Sequence, residues 1–422
     1  MPVTAITPRG SRLAPQRSVR AGAGLPEFLA SSVIARLPLA MFSIALLVHA
    51  RQLTGSFAVA GAASGAYAIA SAISAPVLGR LVDRYGQTRV LILGALLTAG
   101  SLLADGVLPR GTPAALLVTL AAATGTATPP LAACVRSLLP AVVKDTARLP
   151  AVFTFESTLL ELTFIIGPAL ALGIGSIWST GAALVLAGLL MLAGTLAFAA
   201  HPASRHAQPA TACRRPRGGA LRSRALRTLI LVQLALGAVF GATDVGVIAT
   251  TQRLGSATWA GPLLGIWGVG SLIGGLAATR KGGPQGVGAV TALLLALAAV
   301  HAMLIVTTGS LILMGVTIFA AGATIAPSLA GLYAIADSAT PSGTRAEAFS
   351  WLVAAASTGT ALGTSAAGAV AQSGGPIGAF AVVAAAGALA VLITLTRTHS
   401  LPAAPRAVGG SLVRRSRTAS QP

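Results

Sequence analysis

The sequence predicts an all-α integral membrane protein with twelve transmembrane helices arranged as two pseudo-symmetric six-helix bundles. Three observations carry that prediction. Apolar runs of about 20 residues recur along the chain, each long enough to cross roughly 30 Å of hydrocarbon as a helix. One long polar interruption, from Pro202 to Leu229, divides these runs six and six. Arginine gathers in alternate connections between the runs, the bias that holds such connections on the cytoplasmic side of a membrane. Composition agrees: 55% of the 422 residues are hydrophobic and mean hydropathy is +0.82, whereas soluble domains hold about 45–50% apolar residues.

In chain order, the first six spans are expected at Phe28 to Val48, Ser56 to Leu78, Val90 to Leu108, Ala114 to Leu138, Ala151 to Ile174 and Trp178 to Ala200. The second six are expected at Thr228 to Thr250, Trp259 to Ala278, Val287 to Val306, Leu311 to Ile335, Ala348 to Ala371 and Ile377 to Thr396. These runs are apolar all round, which separates them from soluble helices with one polar face. The boundaries that follow are a disordered basic tail over 1–27, a bundle over 28–200, a basic linker over 201–227, a bundle over 228–396 and a disordered basic tail over 397–422. Arg80, Arg84, Arg89, Arg136, Lys144, Arg148, Arg280, Lys281, Arg345 and the arginines of the linker and tails fall on one side, against Arg51, Arg110 and Arg253 on the other. Both termini are therefore expected in the cytoplasm, in a multi-pass cell membrane protein.

A net charge of +20 on a soluble chain would suggest nucleic acid. Here the charge follows topology, and no groove-reading or aromatic motif accompanies it, so no nucleic-acid partner is expected. Anionic lipid headgroups are the expected partner of the basic connections. Cys134 lies inside a span and Cys213 in the linker, so they neither pair nor show metal-ligand spacing. The first apolar run is too long for a cleavable signal and follows a long tail containing Arg, Pro and Ser.

The second connection is unusual. GRLVDRYGQTR, Gly79 to Arg89, holds Arg80, Asp83, Arg84 and Arg89 in a chain that is 9% charged. Gly79, Arg84 and Gly86 recur with the same internal spacing as Gly275, Arg280 and Gly282, which suggests a duplication in which Thr279 has replaced the acid. Gly79, Leu81, Asp83, Arg84, Gly86 and Arg89 resemble motif A of the major facilitator superfamily, with Gln87 and Thr88 departing from its usual basic pair. The resemblance extends over the membrane region and implies two bundles that rock about a midplane site. It also implies a gating latch in which Asp83 faces the start of the eleventh helix near Arg345 and Glu347. A static topology anchor is the alternative.

Ionisable residues within spans are costly enough to be read as functional. Arg36, Arg136, Glu156, Glu161 and Asp244 qualify. At 1.5 Å per residue, Glu156 lies about 8 Å deep, Arg36 about 12 Å, Glu161 about 15 Å and Asp244 about 24 Å. Glu156 and Glu161 point about 140° apart and so need different partners. Arg136 is the expected mate of Glu156 in a structural ion pair, leaving Glu161 for Arg36 or a proton. Arg36, Glu161 and Asp244 are assigned to the proton or substrate pathway. His301 is read as packing.

After Glu161, Gly167 and Pro168 resemble a reduced motif C, which within the superfamily implies proton-coupled antiport; Thr163 and Ala171 stand where glycines are expected. Small-residue pairs at Gly61 and Gly65, Gly261 and Gly265, Gly270 and Gly274, and Gly359 and Gly363 permit close helix contact. The resemblance implies that they lie between the halves; packing within one bundle is the alternative.

No G-x-x-x-x-G-K-[ST], H-E-x-x-H or other catalytic constellation is present, so neither ATP-driven transport nor an enzyme is expected, and no cofactor or metal is implied. The expectation is a monomeric secondary transporter exporting a small organic or amphipathic compound in exchange for protons. Uptake of a small nutrient such as a sugar and a non-transporting sensor are the alternatives.

Overall fold

The computed structural model describes residues 25–143, 145–205 and 219–401. The disordered tails expected over 1–27 and 397–422 fall largely outside the described residues, as do Lys144, Cys213 and the middle of the linker expected over 201–227. All regular structure among the described residues is helical.

The first half is α1 (Leu25–Thr54), α2 (Phe57–Tyr85), α3 (Gln87–Gly106), α4 (Ala114–Val142), α5 (Leu149–Ile177) and α6 (Thr180–Ala200). The second is α7 (Arg224–Arg253), α8 (Ala260–Arg280), α9 (Gly286–Ala302), α10 (Leu311–Ala339) and a 52-residue helix, Arg345–Thr396. That last helix breaks at Gly375, at φ 58° and ψ −153° and followed by Pro376, a conformation open to glycine and closed to most L-residues. Residues 345–374 are α11 and residues 376–396 are α12, giving twelve crossings among the described residues.

Two spans expected to be continuous are broken. α4 stops at Ala127 and resumes at Leu131, because Pro129 and Pro130 offer no N–H and force the residues before them out of the helical region. Its counterpart α10 breaks at Thr324, between Ala323 and Ile325. Breaks in the fourth helix of each half are a mark of the duplication. Another is the pair of terminating glycines, Gly86 at φ 90° and Gly282 at φ 89°.

Within the first half, α1 packs on α5 and α6, α2 on α4, and α3 on α4 and α6. Within the second, α7 packs on the α11–α12 segment, and α8 on α10. The halves meet along two seams, α2 and the second piece of α4 with the α11–α12 segment, and α5 with α8 and α10. The glycine pairs correct one expectation. A Cβ on Gly359 or Gly363 would overlap the carbonyl oxygens of Leu234 and Ala238 on α7, and one on Gly270 or Gly274 those of Phe319 and Ala323 on α10. Both pairs serve the second half alone, since glycine spacing reports a close backbone approach and not which helix makes it.

Gly359→Ala is accordingly expected to cost about 1–3 kcal/mol through backbone clash, whereas Gly61→Ala, with nothing within 4 Å of the new Cβ, is expected to stay within roughly 0.5 kcal/mol of the parent. Thermal unfolding of the two purified variants checks the contrast.

Candidate functional site

The charged stretch expected as a loop is mostly helix. Gly79 to Tyr85 complete α2, Gly86 donates its N–H to the Val82 carbonyl at 3.0 Å, and α3 begins at Gln87. The connection is one residue long, so the charges are held rigidly at a helix end.

They meet the other half there. Asp83 accepts hydrogen bonds from the backbone N–H groups of Ala346 (3.2 Å) and Glu347 (2.9 Å). The first N–H groups of a helix have no partner within it and carry the positive end of its dipole. Thr344, at the cap position of α11, offers no side-chain bond, so Asp83 caps α11 from the opposite half. Arg80 adds a bond from Nε to Oε1 of buried Glu347 at 2.8 Å. Gly79 lets the helices close: a Cβ there would stand 2.6 Å from the Ser350 hydroxyl and 2.8 Å from the Ala346 carbonyl. Gly219 packs on the Glu347 carboxylate from the linker side, and Arg345 pairs with Asp337 at 3.1 Å.

The remaining motif residues are peripheral. Leu81 is partly buried, Arg84 lies 5.1 Å from the Tyr85 ring centroid, and Arg89 is exposed. Gln87, which departs from the motif, is buried and donates to the Ser204 hydroxyl at 2.9 Å. A cation in that recess would be costly.

The second seam closes at the same end. A Cβ on Gly275 of α8 would overlap the Thr158 hydroxyl of α5, and one on Gly283 would stand 2.6 Å from the carbonyl carbon of Pro150. Toward the other end of the same four helices, Gly61 on α2, Gly173 on α5, Gly261 and Gly265 on α8 and Gly368 on α11 have nothing within 4 Å of a Cβ. The seams are closely packed at the arginine-rich end, and these glycines of the same helices face open space toward the opposite one.

Just inside the shut end lies a buried charge cluster. Glu156 on α5 accepts from Arg36 Nη1 of α1 and, at 3.1 Å, from Arg136 Nε of α4; all three side chains are at most 1% exposed. The expected Arg136–Glu156 pair is present. The alternative that gave Arg36 to Glu161 is corrected: both arginines converge on one carboxylate, because the two glutamates face different neighbours. Arg36 is further held by the Ser32 carbonyl at 3.1 Å and hydroxyl at 3.3 Å. Arg136 places its Cζ over the Tyr333 ring of α10, 3.8 Å from the centroid, so the cluster also touches the second half. Phe349 of α11 sits between Phe153 and Tyr333.

Glu161, partly buried further along α5, lies beside Ser271 of α8, across the seam. It joins no ion pair among the described residues. Asp244 on α7 is partly buried, likewise without a bonded partner among them. Gly167 brings α5 onto α1: a Cβ would stand 2.7 Å from that of Ala40, with Pro168 one residue on. His301 packs against Trp267, its Nδ1 2.8 Å from the Leu297 carbonyl. No metal-binding group of His, Cys, Asp or Glu occurs among the described residues. The seam contacts of Ser271 and Thr158 have no signal in the sequence, where each is one small polar residue in an apolar run.

Three comparisons bear on this arrangement. A family model described as Major Facilitator Superfamily matches residues 28–326. A bacterial homologue of the iron transporter ferroportin, solved in an outward-facing state, superposes with a TM-score of 0.69 at 18% identity, over 89% of this chain and 99% of that one. The human organic anion transporter TETRAN gives 0.65 at 17% identity (90% and 100%). The proton:xylose symporter XylE gives 0.69 at 14% (89% and 96%). No curated protein sequence matched the chain.

Proposed function

The chain belongs to the major facilitator superfamily and is a secondary membrane transporter, not an enzyme, and from that premise we propose that it exports a small organic or amphipathic compound in exchange for protons. The observation that carries the reading is the asymmetry of the seams, bonded by Asp83, Arg80 and Glu347 at one end and open at the other. Contacts of that kind can be broken and remade, as exposure of one site to each side in turn requires. The arginine-rich end is the cytoplasmic one in this reading, so the open ends of the seams face outward. The cell membrane is the setting, with both termini inside.

Glu161 is the proton carrier in this proposal. It sits on the seam helix α5 facing α8 without a cation to hold it, so parting of the seam changes its surroundings and can release or load its proton. Export is supported by Gly167 and Pro168, which let α5 ride closely on α1 while lacking one rung of its hydrogen-bond ladder. Inverted vesicles with an acidified, dye-loaded lumen, challenged with a compound panel, test the reading. Substrate addition is expected to draw protons out, and Glu161→Gln to abolish that response. Proton entry with substrate would mean uptake, and the absence of flux for every compound would leave a sensor.

A further inference from the structure

A second site lies away from the seams. At the arginine-rich end, where α7 begins and α12 ends, Arg224, Arg227, Arg397 and His399 surround a recess of about 480 Å³ with Thr228, Thr396 and Ser400. No acidic side chain lines it, and none of its three arginines joins an ion pair among the described residues. Guanidinium groups around one recess repel one another, and an anion relieves that repulsion while accepting their forked donors. The hydroxyls of Thr228 and Ser400 lie 3.0 Å apart and join the two walls of the recess. Phosphate chemistry fits this lining.

The surroundings choose among sources of phosphate. The recess lies at the ends of two apolar spans, α7 and α12, the level at which a spanning helix meets the headgroups. Leu231 continues the α7 face of Arg224 and Arg227 at helical spacing, and Leu392 continues that of Thr396 on α12 with Leu395 beside it, His399 following in the turn past the helix end. These leucines are 36%, 57% and 51% exposed. A basic recess continuous with an apolar helix face matches a headgroup joined to acyl chains, and a free anion would leave the leucines unused. We propose that this recess binds the phosphodiester headgroup of an anionic phospholipid, with the acyl chains lying along α7 and α12. The site belongs to the second half alone and is independent of substrate, direction and coupling ion.

Native mass spectrometry of the full chain in detergent, with phosphatidylglycerol and phosphatidylcholine at equal concentration, tests it. The parent is expected to hold phosphatidylglycerol over phosphatidylcholine by at least about tenfold, and the triple variant Arg224→Gln, Arg227→Gln, Arg397→Gln to lose the preference. Should the triple variant fail to fold, Arg397→Gln alone, at an exposed position, is expected to reduce it several-fold. No preference in the parent, or an undiminished one in the variants, overturns the site. Displacement of the lipid by inorganic phosphate at matched concentration overturns the lipid as its occupant, while resistance to that displacement supports it.

Discussion

Glu156→Gln is expected to lower thermal stability more than any other single charge substitution in this chain. One carboxylate pairs with two guanidinium groups contributed by separate helices, all inside the bundle. Removing it leaves two buried cations facing each other, and breaking a buried pair in this way costs about 3–5 kcal/mol, a large part of the roughly 5–15 kcal/mol that holds a domain folded. Arg36→Met removes one of the same bonds yet leaves Arg136 and Glu156 as a neutral pair, so it is expected to cost distinctly less. Scanning fluorimetry of the purified variants orders them. Equal melting points for Glu156→Gln and the parent would show that the cluster does not hold the first half together.

The asymmetry between those two variants marks how far sequence reaches into this site. Counting residues from a span boundary gives depth, and depth was enough to pair Arg136 with Glu156. It says nothing of the direction in which a side chain leaves its helix axis within the bundle, so Arg36 could be assigned to either glutamate. The twelve crossings are legible because each is a hydropathy signal contained in its own residues. The break in α4 is announced by Pro129 and Pro130, whereas that in α10 falls at Thr324, with Pro327 only after it. Glycine spacing told the truth about close contact at Gly270 and Gly359 while the resemblance misdirected the partner, because a glycine is shaped by whichever backbone passes it. The meeting of Asp83 with α11 was visible only through resemblance to a family, since 263 residues separate the two partners.

At that meeting point, Asp83→Asn and Gly79→Leu are both expected to shift the protein toward a state open at the arginine-rich end. The first removes the negative charge from the N-terminus of α11 and leaves only one side-chain oxygen to accept where two now do. Hydrogen bonds to charged groups contribute about 1.5–3 kcal/mol; partial exposure of Asp83 brings this to about 1–2 kcal/mol, a factor of about 5–30 in the balance of two states. Gly79→Leu acts sterically and more strongly. Its Cβ alone would meet the Ser350 hydroxyl at 2.6 Å, the Ala346 carbonyl at 2.8 Å and the Glu347 Cα at 2.9 Å, and two of those are backbone atoms that cannot turn aside. Spin labels at Arg84 and Arg280, exposed ends of α2 and α8, report the separation of the halves. Both variants are expected to populate a longer distance than the parent, Gly79→Leu more fully, with membrane insertion unchanged. If the two distance distributions match the parent, the contact at Asp83 is a passive anchor; if only Gly79→Leu moves, close packing holds the seam and the charge is incidental to it.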